Sequence, residues 1–342
     1  MTKRRLVLWI SGTLVVTVVC IGLGLFFSQS DTEKRNGLTD IYDVDQDGMI
    51  AFVYENKGKQ EIYLRTDQKE ERALTLEKGQ TIADIHFSPH GTSLVYSLMD
   101  IDKEETSVHI LDTRSLDTEE IFQEEALITE ITYHPEEDHI LFYTKAMTYE
   151  NYSPIASARP HDFDIFSYNI EKEEETRFTN LKAYNMRSLQ LAADASSVYI
   201  QMMDDEDAES ADDIFEAHQK VFEIPLDQPN QKEIISDPER TVDIFDFVVM
   251  PHEEAMVFQS ISNEKAGETF QYELYYDEFD HEEEQQLTDI QEYAGNPVIG
   301  PDGETVYFIV NSNFAKEQPE HHLYQMDVLN PEPKEINLEV EN

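Results

Sequence analysis

Cysteine occurs once in the 342 residues, at Cys20. Beyond that position no intramolecular disulfide can form, so stability has to come from packing. Tryptophan also occurs once, at Trp9, which leaves the rest of the chain without the indole platforms common in carbohydrate sites. Basic residues are scarce: 25 Lys and Arg face 72 Asp and Glu, for a formal net charge of -47. That balance excludes a nucleic-acid-binding role, because neutralising phosphates needs a basic footprint. Glycine is scarce too, at 12 residues, three of them (Gly12, Gly22 and Gly24) in the first 24 positions. No Gly-x-Ser-x-Gly elbow and no His-Glu-x-x-His motif occurs, so the best-known hydrolase signatures are missing. What is present is 40% hydrophobic and 11% aromatic, more apolar material than a purely solvated acidic chain would carry.

Lys3, Arg4 and Arg5 precede Leu6 to Phe27, a run of 22 residues without a charge. At about 1.5 Å per residue that run is long enough to cross about 30 Å of hydrocarbon. The positive-inside rule keeps residues 1–5 in the cytoplasm and sends everything after Phe27 outside. A cleaved signal peptide would have a shorter apolar region and a small-residue cleavage site, whereas this run ends Leu25-Phe26-Phe27-Ser28-Gln29. The expectation is an uncleaved anchor over 6–27, a linker over 28–37 and an exported domain over 38–342.

The exported part repeats one pattern six times. A tight turn precedes an apolar strand at Gln46-Asp47-Gly48, Pro89-His90-Gly91, Pro135-Glu136-Glu137, Ala193-Asp194-Ala195, Pro251-His252-Glu253 and Pro301-Asp302-Gly303, at intervals of 43, 46, 58, 58 and 50 residues. Each is followed by an alternating or aromatic second strand, such as Glu61 to Thr66 or His322 to Val328, and by a short closing element, such as Arg72 to Thr75 or Gln285 to Thr288. Adding the strand before each turn gives four short strands every 45–60 residues, the arithmetic of a propeller blade. Two β-sandwiches or a parallel solenoid would also hold short strands at this spacing. A ring of sheets has the merit of covering both faces of every sheet and shortening exposed edges. The fold class expected is all-β, a six-bladed β-propeller preceded by one transmembrane helix.

These units resemble TolB-type and WD-repeat-like propeller repeats. The resemblance is carried by the turns Ser88-Pro89-His90-Gly91 and Gly300-Pro301-Asp302-Gly303, the second strands with Ile62-Tyr63 and Leu323-Tyr324, and the closings Leu74-Thr75 and Leu287-Thr288. It covers about residues 38 to 342 and implies a fold more than a function. Such repeats serve bacterial envelope proteins and also form the gating half of prolyl-oligopeptidase-like peptidases, whose hydrolase half is not expected here. Leu38-Thr39-Asp40-Ile41 repeats Leu287-Thr288-Asp289-Ile290, so either it or Lys334 to Leu338 is expected to take the outer position of the sixth blade.

Loops between second and third strands are unequal, and the long ones read as the interaction face. Ala146 to Phe163 reads as such a loop and holds Tyr149, Tyr152, Arg159 and His161, residue types that anchor interfaces. A second insertion holds Asp204, Asp205, Glu206 and Asp207 within seven like charges in ten residues, a solvated segment or a site for a cation or basic partner. Asp43, Asp45 and Asp47, followed by Gly48, could supply hard oxygens to calcium, although Tyr54 stands where an EF-hand needs a bidentate Glu. No other cofactor is expected. The expected role is a membrane-tethered, extracytoplasmic binding or scaffolding module for an envelope protein or cationic ligand. The alternative is a metal-assisted hydrolase or lyase using channel carboxylates.

Overall fold

The computed structural model describes residues 35–67, 69–100, 102–151, 158–205, 217–251, 255–263, 269–279, 284–316 and 318–340. The expected anchor over 6–27 lies outside the described residues. Among the described residues there is no helix, and therefore none long and apolar enough to cross a membrane.

The strands are β1 (Asn36–Val44), β2 (Ile50–Asn56), β3 (Lys59–Arg65), β4 (Glu70–Thr75), β5 (Thr81–Phe87), β6 (Ser93–Asp100), β7 (Glu105–Asp112) and β8 (Thr118–Glu124). There follow β9 (Leu127–Tyr133), β10 (Ile140–Asn151), β11 (Ala158–Asn169), β12 (Glu174–Arg177), β13 (Arg187–Leu191), β14 (Ser197–Met203), β15 (Gln219–Pro225) and β16 (Glu233–Ile234). The last are β17 (Ile244–Val249), β18 (Ala255–Ile261), β19 (Tyr272–Glu278), β20 (Gln285–Gln286), β21 (Ala294–Ile299), β22 (Thr305–Asn311), β23 (His321–Asp327) and β24 (Lys334–Glu335). They form four four-stranded antiparallel sheets and one of eight, in which β1–β4 and β21–β24 are joined only by the pair Leu38 and His321.

The middle strands read as continuous apolar runs because both of their faces are covered. In β2, Ala51 and Val53 pack toward Ile82, Ile85 and Leu94 of the next sheet, while Ile50 and Phe52 pack toward Ile309 and Leu323 at the far end of the chain. The same pairing recurs from each sheet to the next, with Val95 against Ile131, Phe142 against Val198, Val221 against Phe247, and Val257 against Phe308. Burying apolar residues on both faces is what offsets the entropy of ordering so many short strands.

Turns and closings follow local chemistry. Asp45 caps the first turn, its Oδ1 accepting the N–H of Asp47 at 2.8 Å and of Met49 at 2.7 Å, while Gly48 takes φ 83°. The fourth turn, which has neither Pro nor Gly, rests on Asp194: its Oδ1 accepts the Ser196 N–H at 2.9 Å and Ala195 takes φ 54°. The closings Leu287-Thr288 and Phe178-Thr179 place a hydroxyl on a buried acid, Thr288 Oγ1 donating to Glu273 Oε2 at 2.6 Å and Thr179 Oγ1 to Asp164 Oδ1 at 2.8 Å. The same hydroxyls accept the N–H of Leu274 and Ile165 at 2.8 and 2.9 Å.

Two expectations are refined. Leu38 to Ile41 belongs to β1, the first strand of its own sheet, and β24 takes the outer position beside β23. Ala146 to Phe163 is not a structureless loop: β10 and β11 stay paired out to Asn151 and Ala158, so the insertion is an extended hairpin. Continuing the ladder satisfies backbone groups that a loop would leave to water.

Candidate functional site

The first strands of the sheets, β1, β5, β9, β13, β17 and β21, pack against one another in that cyclic order, and β21 returns to β1. They enclose a channel of about 710 Å³. In every one of these strands the pairing register shifts near the middle, at 38–42, 82–84, 128–130, 187–190, 244–247 and 295–298. A bulge re-aims a side chain, and here each one presents a polar residue followed by an apolar one: Asp40-Ile41, Asp84-Ile85, Glu130-Ile131, Ser188-Leu189, Asp246-Phe247 and Asn296-Pro297. The polar residue of each pair lines the channel, while Ile85, Ile131, Leu189 and Phe247 are buried in the cores between sheets.

Most of these polar groups tie one inner strand to the next. Asp43 Oδ2 accepts the Phe87 N–H at 2.7 Å, Asp84 Oδ2 the Ile131 N–H at 2.9 Å, and Glu130 Oε2 the Ser188 N–H at 3.0 Å. Ser188 Oγ accepts the Phe247 N–H at 3.4 Å, and Gln190 brackets the same strand, donating to Phe247 O and accepting from Val249 N–H. Asp246 accepts the Asn296 N–H, and Asn296 closes the cycle by donating to Asp40 O at 3.0 Å while its own carbonyl receives the Tyr42 hydroxyl at 2.7 Å.

The low-dielectric walls displace the titrations of these groups. Burial pushes Glu130 up to about 8, with the Asp84 charge adding and Arg187 opposing. Burial likewise raises Asp84 to about 6, against the pull of His86 and of the Ile131 and Ile85 N–H groups. Asp246 is raised by burial in spite of Arg187. Burial works against a charged His86, but Asp84 and Asp43 outweigh it and hold the imidazole at about 9. His86 Nδ1 lies 3.5 Å from Asp43 and Nε2 3.7 Å from Asp84, and the ring, which lines the cavity, keeps 30% of its side-chain surface open.

Two charged channel residues have no such tie. Asp40 and Arg187 both line the cavity, and neither side chain makes a hydrogen bond or ion pair among the described residues.

The residues singled out in sequence lie elsewhere, or are split. Asp43 faces the channel and Asp45 caps its turn, whereas Asp47 is exposed; the three do not converge. Among the described residues no group of three or more His, Cys, Asp or Glu is arranged to hold a metal. On the extended hairpin Tyr149 packs into the core beside Phe163, Arg159 is exposed, and His161 Nδ1 sits 3.0 Å from Asp162 Oδ1. Asp204 donates its backbone N–H to His218 O at 2.9 Å, and Asp205 follows it. Tyr152, Glu206 and Asp207 lie outside the described residues. The channel ring went unread in sequence, although one signal was there: a polar-apolar pair at the same place in every first strand.

No protein-family model and no curated protein matches the chain in sequence. Solved structures do match in shape. TolB from Acinetobacter baumannii superposes with a TM-score of 0.58 at 12% identity, covering 83% of this chain and 62% of that one, so the chain spans less than two thirds of its length. An oligogalacturonate lyase in complex with manganese gives 0.57 at 15% identity, over 87% and 76% of the two chains. The β-propeller domain of the Trilobed protease from Pyrococcus furiosus, described as having an open velcro topology, gives 0.52 at 14% over 89% and 86%. Identities this low carry the fold and nothing finer. Set beside the cyclic packing of the sheets, they show that the described part of this chain has a β-propeller fold similar to that of TolB.

Proposed function

We propose that the chain is a six-bladed propeller, tethered outside the membrane by residues 6–27, that works as a binding or scaffolding module for an envelope protein or ligand. Dividing the eight-stranded sheet at the single Leu38 and His321 pair supports the count of six blades, and the uncharged run of 22 residues after three basic ones supports the tether.

One observation carries binding over catalysis. The channel carboxylates that acid-base or metal chemistry would draw on already hold neighbouring backbone: Asp43, Asp84, Glu130 and Asp246 each accept an N–H from the next inner strand. Groups used this way fix the ring and leave recognition to what projects from it. The extended hairpin and the turns at the same end supply such groups: Met147 about half exposed and Arg159 exposed on the hairpin, and Phe270 about half exposed on the connection from β18 to β19.

The test is a photo-crosslinker placed in the full chain in native membranes at Arg159, at Phe270 and, on the turn after β23 at the opposite end, at Leu329. One adduct shared by the first two and missing from the third supports the reading. Equal labelling at all three, or none, counts against it.

The alternative, a metal-assisted hydrolase or lyase, draws on the crowded channel carboxylates and on the likeness in fold to the manganese-bound lyase. The donor set does not fit a metal as it stands, since among the described residues no three or more His, Cys, Asp or Glu are grouped to hold one. Saturable manganese binding to the full chain that is lost in Asp84→Asn would favour this alternative.

A further inference from the structure

Within the channel, charge is divided into two kinds. Asp43, Asp84, Glu130 and Asp246 are occupied by backbone donors, and His86 sits between two of those carboxylates. Asp40 and Arg187 have no side-chain hydrogen bond in this network among the described residues, although the charge of Arg187 reaches Glu130 and Asp246. Asp40 is free because the tie from β1 to β5 is made by Asp43, three residues further on. Arg187 is free because the tie from β9 to β13 ends on its neighbour Ser188, which takes φ 54° to receive it.

The two unoccupied groups are of opposite sign and stand on β1 and β13, three strands apart whichever way the cycle is followed, and so on opposite walls. Both act on the same patch between them. Asp246 and Tyr293 each feel the negative charge of Asp40 and the positive charge of Arg187. Tyr293 lines the cavity there and stacks on Phe314 at 5.1 Å between ring centres, giving that side a rigid aromatic wall.

We propose that the channel is a receptor site for a small zwitterion bearing one carboxylate and one ammonium, with Arg187 receiving the carboxylate, Asp40 the ammonium and Tyr293 flanking the chain between. A guanidinium offers paired donors that match a carboxylate, while a carboxylate accepts from an ammonium. A ligand with no net charge also reaches a protein of net charge -47 without the repulsion a simple anion meets. Free amino acids and short peptides share this chemistry and differ in the distance between their charges. This proposal goes beyond the binding reading above, which places a protein partner on the projecting hairpin, and adds a small-ligand site inside the ring.

Calorimetry on the full chain in detergent, with alanine, dialanine and trialanine, separates the two sources by length. The expected result is saturable binding of one member of the series. Acetylating its amine or amidating its carboxylate should each weaken binding about tenfold or more, the range for a hydrogen bond to a charged group. In Asp40→Asn the penalty for acetylation should vanish while that for amidation persists, and in Arg187→Gln the reverse, a crossed pattern that a merely structural role would not produce. Neither substitution removes a hydrogen bond of the ring, and the ligand arms need no variant at all. Absence of binding across the series, or binding indifferent to both blocked ends, overturns the proposal. Face-specific crosslinking to a protein partner would be untouched by that failure, so the two readings fall separately.

Discussion

Ser188 donates its backbone N–H to Glu130 Oε2 at 3.0 Å across the boundary between two sheets, and its hydroxyl accepts from Phe247 of the next sheet at 3.4 Å. A carboxylate in that place is held up to about 8 by burial, with Asp84 adding to it. The native state therefore keeps a proton on Glu130 that the unfolded chain releases near pH 4.3. The associated stability is complete below the ordinary carboxylate value and is lost as pH rises through about 8. His86 acts in the same direction, its contribution complete below about 6.5 and lost as pH rises through about 9. Melting temperature should thus fall from pH 5 to pH 9, and Glu130→Gln, which keeps an oxygen for the Ser188 N–H, should flatten part of that slope. A melting temperature that climbs with pH across this range contradicts the assignment.

The closing threonines make a sharper local prediction. Glu273 is 1% exposed and accepts from the Thr288 hydroxyl and from the N–H groups of Ile290 and Gln291. Thr288→Val keeps the shape, removes one donor from a buried carboxylate and strands the Leu274 N–H. The expected cost is about 1–3 kcal/mol in denaturant unfolding, whereas Thr288→Ser should cost much less because the hydroxyl remains.

Much of this architecture was legible because it repeats. Turn, apolar strand, second strand and closing recur with their chemistry visible, down to Asp194 carrying a turn with no Pro or Gly. The hairpin over Ala146 to Phe163 was read as a loop because its residues mix charged, aromatic and proline positions, and its ladder depends on long-range pairing rather than on local pattern. The channel ring stayed hidden for a different reason. Asp84, Glu130 and Asp246 look like ordinary acids in a chain with 72 of them, and only the bulges turn those side chains toward one axis.

Charge repulsion should be measurable in its own right. Beyond residue 30 the chain carries 22 Lys and Arg against 72 Asp and Glu, an excess of negative charge that opposes compaction and is screened by salt. Melting temperature should rise with added sodium chloride. Low-millimolar calcium acting far beyond equal ionic strength, and losing that excess in Asp47→Asn, would support calcium at Asp43, Asp45 and Asp47. Calcium acting only as ionic strength would rule it out.

Gly91 is required where it stands. It takes φ 63°, and a Cβ there would collide with the Asp45 carboxylate of the neighbouring turn. Gly91→Ala should destabilise by about 1–3 kcal/mol, the range for backbone strain and overpacking. Asp45→Ala alone should cost about 1 kcal/mol or more for the lost Asp47 and Met49 bonds. Because removing the carboxylate also removes the collision, the double variant should lose less than the two single costs together, and strict additivity would disprove the contact.

Ring closure rests on the end of the described chain. β1 touches β23 through one residue pair, and β24 contributes two pairs to β23, so backbone bonding at this seam is thin. Beyond β24 the chain alternates, with Ile336, Leu338 and Val340 turned toward Tyr42, Phe52 and Tyr63 while Asn337 and Glu339 face out. Glu339 donates its backbone N–H to Glu70 Oε2 at 3.2 Å, reaching the outer strand of the first sheet. This segment is therefore a strap that crosses the seam and replaces shared strands with buried side chains. Each of the three apolar residues is half-buried, so changing all three to Ser should cost about 2–4 kcal/mol on the basis of buried apolar area. Hydrogen exchange in that variant should accelerate first in β1 and β23, the strands the strap holds together, with β9 and β13 on the far side unchanged. Uniform acceleration around the ring would show that the strap does not secure the seam.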